Sequence, residues 1–245
     1  MVALNHRWES NVVEAQEIIG AQETRNVLLS FAKSIQERDL VTYEHSRRVA
    51  IYARRLALFL GWSESEAEDL ALAALVHDLG KTWISNNILN KSAALSIEER
   101  RTMERHPVIG AGILIGCDVD PFYVQAVLHH HEAWDGHGYP SGLKGKEIPL
   151  SARILTITDV YDVLTSQRPY KAPLSMDAAR ERILQSSGAS FDPVIVRAFL
   201  NLLDTTPDFT VTQTADELLE LERPASAPID VRSPSDLKLQ LADEF

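Results

Sequence analysis

Cysteine is almost absent from this chain, since Cys117 is the only one among 245 residues. A single cysteine excludes an intrachain disulfide, so we expect a reducing compartment and interpret the protein as cytoplasmic. Long hydrophobic runs are missing as well: the most apolar stretch, residues 70–76, is far too short to cross a bilayer. Residues 1–10 also lack the apolar core of a signal peptide.

Positive charge is in the minority, because 24 Lys and Arg residues stand against 35 Asp and Glu residues and leave a net charge of −11. Nucleic acids and anionic membranes would repel such a chain, so we exclude a general binder of either. A small anionic ligand is compatible with this charge, because a bound metal can invert the local field. The hydrophobic share of 45% and the charged share of 24% are ordinary for a soluble globular protein.

Alternating strand patterns are missing too, and almost every periodic segment of the sequence has the 3.6-residue spacing of a helix. Capping boxes at Ser63 and Ser96, each with a glutamate three residues later, mark two helix starts, and prolines mark others. We therefore predict an all-α fold. The predicted helices are, approximately, residues 12–37, 43–60, 63–79, 96–104, 107–115, 121–131, 149–166, 176–186 and 193–203.

The composition divides the chain into three parts: an N-terminal helical segment (1–39), a main domain (40–204) and a C-terminal tail (205–245). The tail contains nine acidic residues against three basic ones and is interrupted by four prolines, which predicts loose order. Within the main domain, residues 132–149 are rich in glycine and are predicted to form a structured loop.

Three consecutive histidines, residues 129–131, raise the question of a bound metal, because neutral imidazole nitrogen is a common metal ligand. A solvated polar loop would explain this triplet equally well. Further candidates fall on the ends or inner faces of successive predicted helices, as expected for a bundle with a metal cluster in its core. The candidate ligands are His45, His77, Asp78, His106, His130, His131 and Asp159.

Simpler explanations exist for several of these residues. His45 fits a surface or core position on an amphipathic helix, and His106 fits a plain helix entry before proline. The segment "HDLGK" (residues 77–81) also fits a helix C-cap, with Gly80 in the left-handed conformation and Lys81 favourable to the helix dipole. Asp159 is harder to explain in this way, because an unpaired buried carboxylate is destabilising and a cation offsets that cost.

Two segments, "HDLGK" and "HHEAWDGHGYP" (residues 130–140), together resemble the HD-GYP family, a branch of the HD superfamily of metal-dependent phosphohydrolases. The resemblance covers roughly residues 40–203 and includes "YEHSRRVAIYARRLA" and "LSIEERRTMERHPVIGAGIL" in the family's order. It implies a helical bundle of the HD-domain type with a metal site in its core. The activity that it implies is hydrolysis of cyclic di-GMP to pGpG, with GMP as a further product.

The resemblance also implies a role for each residue of the pattern. One divalent ion would be held by His45, His77, Asp78 and Asp159, and a second by the bridging Asp78 with His106, His130 and His131. Iron is the first choice for both ions, and manganese is the alternative. The implied catalytic residues are Lys81 and Asp78, and the implied substrate-binding residues are Lys81, Gly138, Tyr139, Pro140, Arg168 and Lys171.

Two positions qualify this assignment. Members of the family with three metals carry a glutamate one helical turn before the first histidine ligand, and here that position is Val41. Valine cannot bind a metal, so we expect two ions rather than three. His129 matches no ligand position of the family, and we interpret it as a helix-end residue.

Alternative functions from other classes stay open at this point. The chain would also fit an HD phosphohydrolase for a mixed cyclic dinucleotide, or a cyclic di-GMP receptor that docks a diguanylate cyclase through the GYP loop. The candidate partners are accordingly a cyclic dinucleotide, a diguanylate cyclase and a second copy of the chain in a homodimer. Neither nucleic acid nor a membrane is expected as a partner.

Overall fold

The computed structural model describes residues 2–167 and 172–206, with side chains from residue 20 onward, and these residues form a helical bundle. Within those two ranges no strand occurs, and the one isolated bridge joins Ser187 to Phe191. The predicted all-α fold is therefore confirmed. In chain order the helices are α1 (Val2–Arg38), α2 (Leu40–Phe59), α3 (Glu64–Leu75), α4 (Asn86–Leu89), α5 (Ile97–Met103), α6 (His106–Gly116), α7 (Pro121–His129), α8 (Leu150–Thr165), α9 (Met176–Gln185) and α10 (Pro193–Thr205).

Local capping explains where several helices begin. Ser63 and Ser96 form the two predicted capping boxes, in which Glu66 and Glu99 accept a hydrogen bond from the backbone N–H of the cap residue. Asp39 caps α2, because its carboxylate accepts hydrogen bonds from the backbone N–H groups of residues 41 and 42. This cap starts α2 three residues earlier than the hydrophobic spacing predicted. The short helix α4 was not predicted.

The core of the bundle surrounds α3, which packs against α1, α2 and α7. Residues 70–75, the C-terminal half of this helix, are all buried and apolar, so this half has no polar face. Helix α2 packs against α8 as well as α3, and α10 closes the bundle with a buried face that includes Ile195, Phe199 and Leu202. The buried residues of these helices form one hydrophobic cluster, as expected for a single domain.

Helix α1 begins at Val2, ten residues before its predicted start. Its C-terminal half contributes Leu28, Phe31 and Ile35 to the hydrophobic cluster, each with at most 1% of its surface exposed. This part of α1 therefore packs with the main bundle. The boundary between residues 39 and 40 stays a prediction.

Helix α3 ends at Leu75, four residues earlier than predicted. The backbone N–H groups of Val76 and His77 donate to carbonyl oxygens three residues back, so the chain tightens into a 3-10 turn, residues 76–83, which ends in the 3-10 helix Leu79–Trp83. His77 and Asp78 consequently lie on this turn and not on a straight helix. Adjacent side chains can converge there, which a regular helix would prevent.

Three predicted features fall outside the described residues: the tail from residue 207 onward, and the two substrate-binding residues Arg168 and Lys171. None of the described helices is both long enough and apolar enough to cross a membrane.

Candidate metal centre

The seven predicted ligands come from five separate segments and meet in one cluster. Neighbouring imidazole rings contact each other, with centroids 5.5 Å apart for His45 and His77, 5.0 Å for His77 and His130, and 4.1 Å for His130 and His131. Potential ligand atoms fall into two groups, each within 4.8 Å of one another: His45, His77 and Asp78 form the first, and His106, His130 and His131 the second. Asp159 adjoins the first group, because its Oδ1 lies 3.0 Å from Nε2 of His45.

Hydrogen bonds at Nδ1 fix the tautomer of three of these histidines. The Nδ1 atoms of His77, His106 and His130 lie 2.6, 2.8 and 2.6 Å from backbone carbonyl oxygens three residues earlier. A carbonyl oxygen can only accept a hydrogen bond, so Nδ1 donates in each case. In the neutral ring Nε2 then carries a free lone pair, as a metal ligand requires.

Two of these lone pairs face each other. Nε2 of His106 and Nε2 of His130 are 3.3 Å apart, although neither carries a hydrogen in the tautomer that its Nδ1 contact requires. Such an arrangement is repulsive unless a cation lies next to both nitrogens. The ring of His131 completes the group, 5.0 Å from His106 between centroids. This donor set fits a transition-metal ion, for which imidazole is a preferred ligand.

Asp78 belongs to the first group and adjoins the second, and each of its two oxygens faces a different group. Its Oδ2 is 3.4 Å from Nε2 of His77, and its Oδ1 is 3.3 Å from Nε2 of His106. Because that nitrogen of His106 has no hydrogen, Oδ1 is buried without a hydrogen-bond partner among the described residues. An unsatisfied buried carboxylate oxygen is destabilising. A cation on each side of this carboxylate would satisfy both oxygens.

Burial keeps the second group neutral. It lowers the pKa of His106 to about 3 and that of His131 to about 4, and it lowers the pKa of His130 far below its usual value. No proton has to leave these rings before they bind a cation at neutral pH. Burial would raise the pKa of Asp78, but Lys81 and the surrounding histidines outweigh it and keep the pKa well below its usual value.

His45 lies between two carboxylates. Its Nδ1 is 2.6 Å from Oδ2 of Asp162, while its Nε2 contacts Asp159. Burial disfavours the charged ring, but hydrogen bonds to Asp159 and Asp162 outweigh it and raise the pKa of His45 to about 9. A cation at Nε2 would replace the proton that these carboxylates now stabilise.

The sequence-based prediction missed Asp162 and its partner Arg48. Asp162 is fully buried and accepts hydrogen bonds from Nε and Nη2 of Arg48 at 2.6 and 3.0 Å. The carboxylate therefore fixes the ring of His45 from behind and is itself neutralised by a guanidinium. Spacing offered a signal: Arg48 follows His45 by three residues, and Asp162 follows Asp159 by three, so each pair shares a helix face.

Lys81 lies at the edge of the cluster. Its Nζ is 2.6 Å from Oδ2 of Asp78, and its side chain is 26% exposed. The ammonium group can therefore reach both the buried carboxylate and a ligand that arrives from solvent.

Gly80 has a structural role that differs from the C-cap alternative. The backbone φ of Gly80 is not positive, so this residue does not form a left-handed cap. A Cβ at this position would lie 2.0 Å from the backbone oxygen of His106. Glycine is required here because the start of α6 packs directly on the turn that carries His77 and Asp78.

The GYP loop, defined as residues 132–143, covers the second group. The ring of Tyr139 packs on that of His131, with centroids 4.9 Å apart and planes inclined by 32°. One face of the Tyr139 ring is thus already occupied. Pro140 is exposed, and Gly138 brings the loop so close to its own start that a Cβ would lie 2.2 Å from the backbone nitrogen of Ala133.

Glu132 is a third residue that the prediction missed. Only 2% of it is exposed, and its carboxylate accepts hydrogen bonds from the backbone N–H groups of Ser141 at 2.7 Å and Leu143 at 3.1 Å. The two ends of the GYP loop are thereby held together. A glutamate directly after the predicted ligands His130 and His131 was the available signal, because a carboxylate next to a buried cluster requires donors.

His129 and Val41 both lie outside the cluster of candidate ligands. His129 belongs to neither group of ligand atoms, and its Nδ1 faces Glu132 at 3.5 Å. Val41 is 66% exposed near the start of α2.

Known proteins resemble this chain over most of its length. A family model described as HD domain matches residues 30–195. The cyclic di-GMP phosphodiesterase response regulator RpfG of Xanthomonas campestris is 39% identical over 201 residues, which cover 81% of this chain and 52% of the relative. The 3'3'-cGAMP-specific phosphodiesterase 2 of Vibrio cholerae is 36% identical over 185 residues, or 75% of this chain and 35% of the relative. The chain thus spans about half the length of these curated relatives, or less.

Solved structures show the same fold. The crystal structure of a cyclic GMP-AMP specific phosphodiesterase of Vibrio cholerae, V-cGAP3, matches with a TM-score of 0.58 and 21% identity. The match covers 90% of this chain and 58% of that chain. At this identity it bears on the fold alone, and it confirms the predicted type of helical bundle.

Proposed function

Because the chain belongs to the HD domain family, whose model matches residues 30–195, we propose that it is a metal-dependent phosphodiesterase. Its substrate in this proposal is cyclic di-GMP, and the products are pGpG and, after a second cleavage, GMP. The similarity to a relative named as a cyclic di-GMP phosphodiesterase supports this choice of substrate. The chain also carries both motifs of the HD-GYP branch, "HDLGK" and the GYP loop.

One observation carries the proposal: the opposed Nε2 lone pairs of His106 and His130 beside the unpartnered Oδ1 of Asp78. A purely structural core would not bury three acceptors against one another without a donor. A cation removes this conflict. Membership of the HD family implies dependence on a divalent metal, and the cluster fits that chemistry.

We assign two ions to the cluster, with Asp78 as the bridge, because its two oxygens face different groups. The exposed valine at position 41 supports two ions rather than three. Iron is the first choice and manganese the alternative, since imidazole and carboxylate ligands together suit both. The proposed ligands are His45, His77, Asp78 and Asp159 for one ion, and Asp78, His106, His130 and His131 for the other.

Bound divalent ions would supply an activated water nucleophile and would neutralise charge on the phosphate oxygens. The residues of the chain bind and orient the substrate. Lys81 is placed to donate to a phosphoryl oxygen from the solvent side of Asp78, where charge builds up during in-line attack. Tyr139 forms a wall beside the centre, and Arg168 and Lys171 remain proposed contacts to substrate phosphate and base.

A mixed cyclic dinucleotide is the second candidate substrate. The specific observation in its favour is the 36% identity to a relative named as specific for 3'3'-cGAMP. A docked diguanylate cyclase and a homodimer remain predictions from the sequence.

The test is a turnover assay on the full chain purified without oxygen. Cyclic di-GMP, 3'3'-cyclic GMP-AMP and cyclic di-AMP are supplied separately, and nucleotide products are separated by chromatography. We expect pGpG to form fastest from cyclic di-GMP. The Lys81→Ala variant, with unchanged metal content, should lose most of this activity. A metal-loaded protein that cleaves none of the three would contradict the proposed enzyme.

A further inference from the structure

A cavity of about 430 Å³ opens beside the metal centre. Its walls are the GYP loop, one face of α8, and the end of α9 with the loop that follows it. His131 belongs both to this cavity and to the second group of candidate ligands. The volume falls within the range of small-ligand pockets, roughly 300–1,000 Å³.

The walls of the cavity combine an apolar side with several polar side chains. Val160 and Leu164 from α8 and Phe191 from the loop after α9 provide the apolar side, and the ring of Tyr139 borders it. A planar nucleobase would remove its faces from water there and would keep its polar edge for a specific contact.

Arg182 is the only lysine or arginine among the described residues that line the cavity. No described residue forms an ion pair with its guanidinium, unlike the nearby Arg180, which pairs with Asp204. The guanidinium is a planar fork of donors, and the O6 and N7 atoms of guanine form the matching pair of acceptors. Adenine carries an amino group in place of O6 and cannot complete this pair.

We propose that the cavity is a purine subsite, in which Arg182 recognises the O6/N7 edge of guanine. The inference rests on the proposed function in one respect. The guanine is assumed to belong to a cyclic dinucleotide substrate whose phosphate lies at the metal centre. Arg182 then determines specificity. It favours a guanine over an adenine in the nucleotide next to His131.

The experiment compares Arg182→Ala with wild type and with Arg197→Ala, which removes the same charge from an exposed position on α10 outside the cavity. Binding of GMP and of AMP to the full chain is measured by calorimetric titration. Both mononucleotides carry the same phosphate, so any contact to the metal centre contributes equally. Metal content of each sample is determined in parallel.

We expect Arg182→Ala to weaken GMP binding about tenfold and to leave AMP binding unchanged, the size typical of one bidentate contact to guanine. Arg197→Ala should change neither. A second variant, Ser190→Trp, places an indole at the rim of the cavity and should weaken binding of both mononucleotides.

The subsite is overturned if Arg182→Ala binds GMP as wild type does, or if wild type does not bind GMP. It is also overturned if Arg182→Ala weakens the binding of GMP and of AMP by the same factor, because Arg182 would then contact the phosphate and not the base. Turnover is assayed separately on the cyclic dinucleotides. A protein that hydrolyses none of them but shows the GMP-specific loss would refute the proposed function and leave the subsite standing.

Discussion

At the scale of single residues, the site depends on which nitrogen of each histidine carries the proton. Backbone carbonyl oxygens hold Nδ1 of His77, His106 and His130, and a carboxylate holds Nδ1 of His45. Each Nε2 is therefore oriented into the cluster before any ligand binds. Such preorganisation lowers the free-energy cost of assembling the metal shell.

Asp162 offers a direct test of this orientation. Asp162→Asn should weaken metal binding about tenfold or more, the usual effect of removing a partner behind a histidine ligand. The reason is that the amide has no charge to stabilise the ring of His45 or to neutralise Arg48. Competition with a chelator measures the affinity. Glu44→Gln is the control, because Glu44 adjoins His45 in sequence but pairs with Arg47. Equal affinities in wild type and Asp162→Asn would show that Asp162 has no part in binding.

The histidine triplet gives a second prediction at this scale. His131→Ala should lose metal from the second group, whereas His129→Ala should keep the metal content and turnover of wild type. His129 faces Glu132, away from both groups of ligand atoms. Elemental analysis of both variants checks this. Metal loss in His129→Ala with full metal in His131→Ala would shift the ligand assignment by one residue.

The residues of the cluster could be predicted from sequence because the motifs place them at recognisable positions. For Asp162, Arg48 and Glu132 the sequence carries a signal in their positions but none for their partners, since folding brings these close: Asp162 is 114 residues from Arg48. For Tyr139, the contact with His131 likewise depends on how the GYP loop folds back on itself.

At the scale of elements, the contact between the 3-10 turn and α6 sets the distance between the two ligand groups. The turn carries His77 and Asp78, the first residue of α6 is His106, and Gly80 lies between them. The absence of a side chain at Gly80 allows both elements to approach closely.

Gly80→Ala tests this contact. The added methyl group would overlap the backbone oxygen of His106, so the variant should be destabilised by about 1–3 kcal/mol or more, as in other overpacked sites. It should also lose metal, because α6 must move away from Asp78. Gly112→Ala, within α6, is the control, since a Cβ there meets nothing within 4 Å. Thermal unfolding and elemental analysis give the two readouts. A Gly80→Ala protein as stable and as metal-rich as Gly112→Ala would refute the close approach.

The GYP loop gives a further prediction at the element scale. Glu132→Ala leaves two loop N–H groups without their buried acceptor, which costs about 1–3 kcal/mol for each group that stays unpaired. We expect a higher KM for the cyclic dinucleotide at unchanged metal content, because the loop borders the site without contributing a ligand. Glu132→Gln keeps one acceptor oxygen, so its KM should lie between those of wild type and Glu132→Ala. Asp135→Ala, a carboxylate change in the same loop, is the control. An unchanged KM in Glu132→Ala would show that the carboxylate does not position the loop.

Helix boundaries were less predictable than helix existence. Hydrophobic spacing located α2, α3 and α8, since each buries a continuous face. The predicted α3 was too long, because hydrophobic spacing does not reveal where backbone hydrogen bonds change from four-residue to three-residue spacing, after Leu75. The predicted α1 began too late, since the polar composition of residues 2–11 obscured the pattern.

At the scale of the whole molecule, five segments far apart in sequence place their polar side chains in one buried cluster. The fold class was predictable because helical periodicity runs through the described chain, and the cluster of candidate ligands was predictable because the motifs coincide with helix ends. Which segments pack against each other could not be predicted, since only the folded bundle brings α2 against α8 and α6 against the turn. Burial of so many polar groups is consistent with folding and metal binding being coupled.

The metal-to-protein ratio of wild type and of Asp78→Ala, purified in parallel without oxygen, tests the central claim most directly. We predict about two ions per chain in wild type and loss of both in Asp78→Ala, because one carboxylate bridges the two ligand groups. Lys81→Ala should retain the wild-type ratio, which controls for the loss of a neighbouring charge. Three firmly bound ions in wild type, or two retained in Asp78→Ala, would contradict the bridged centre.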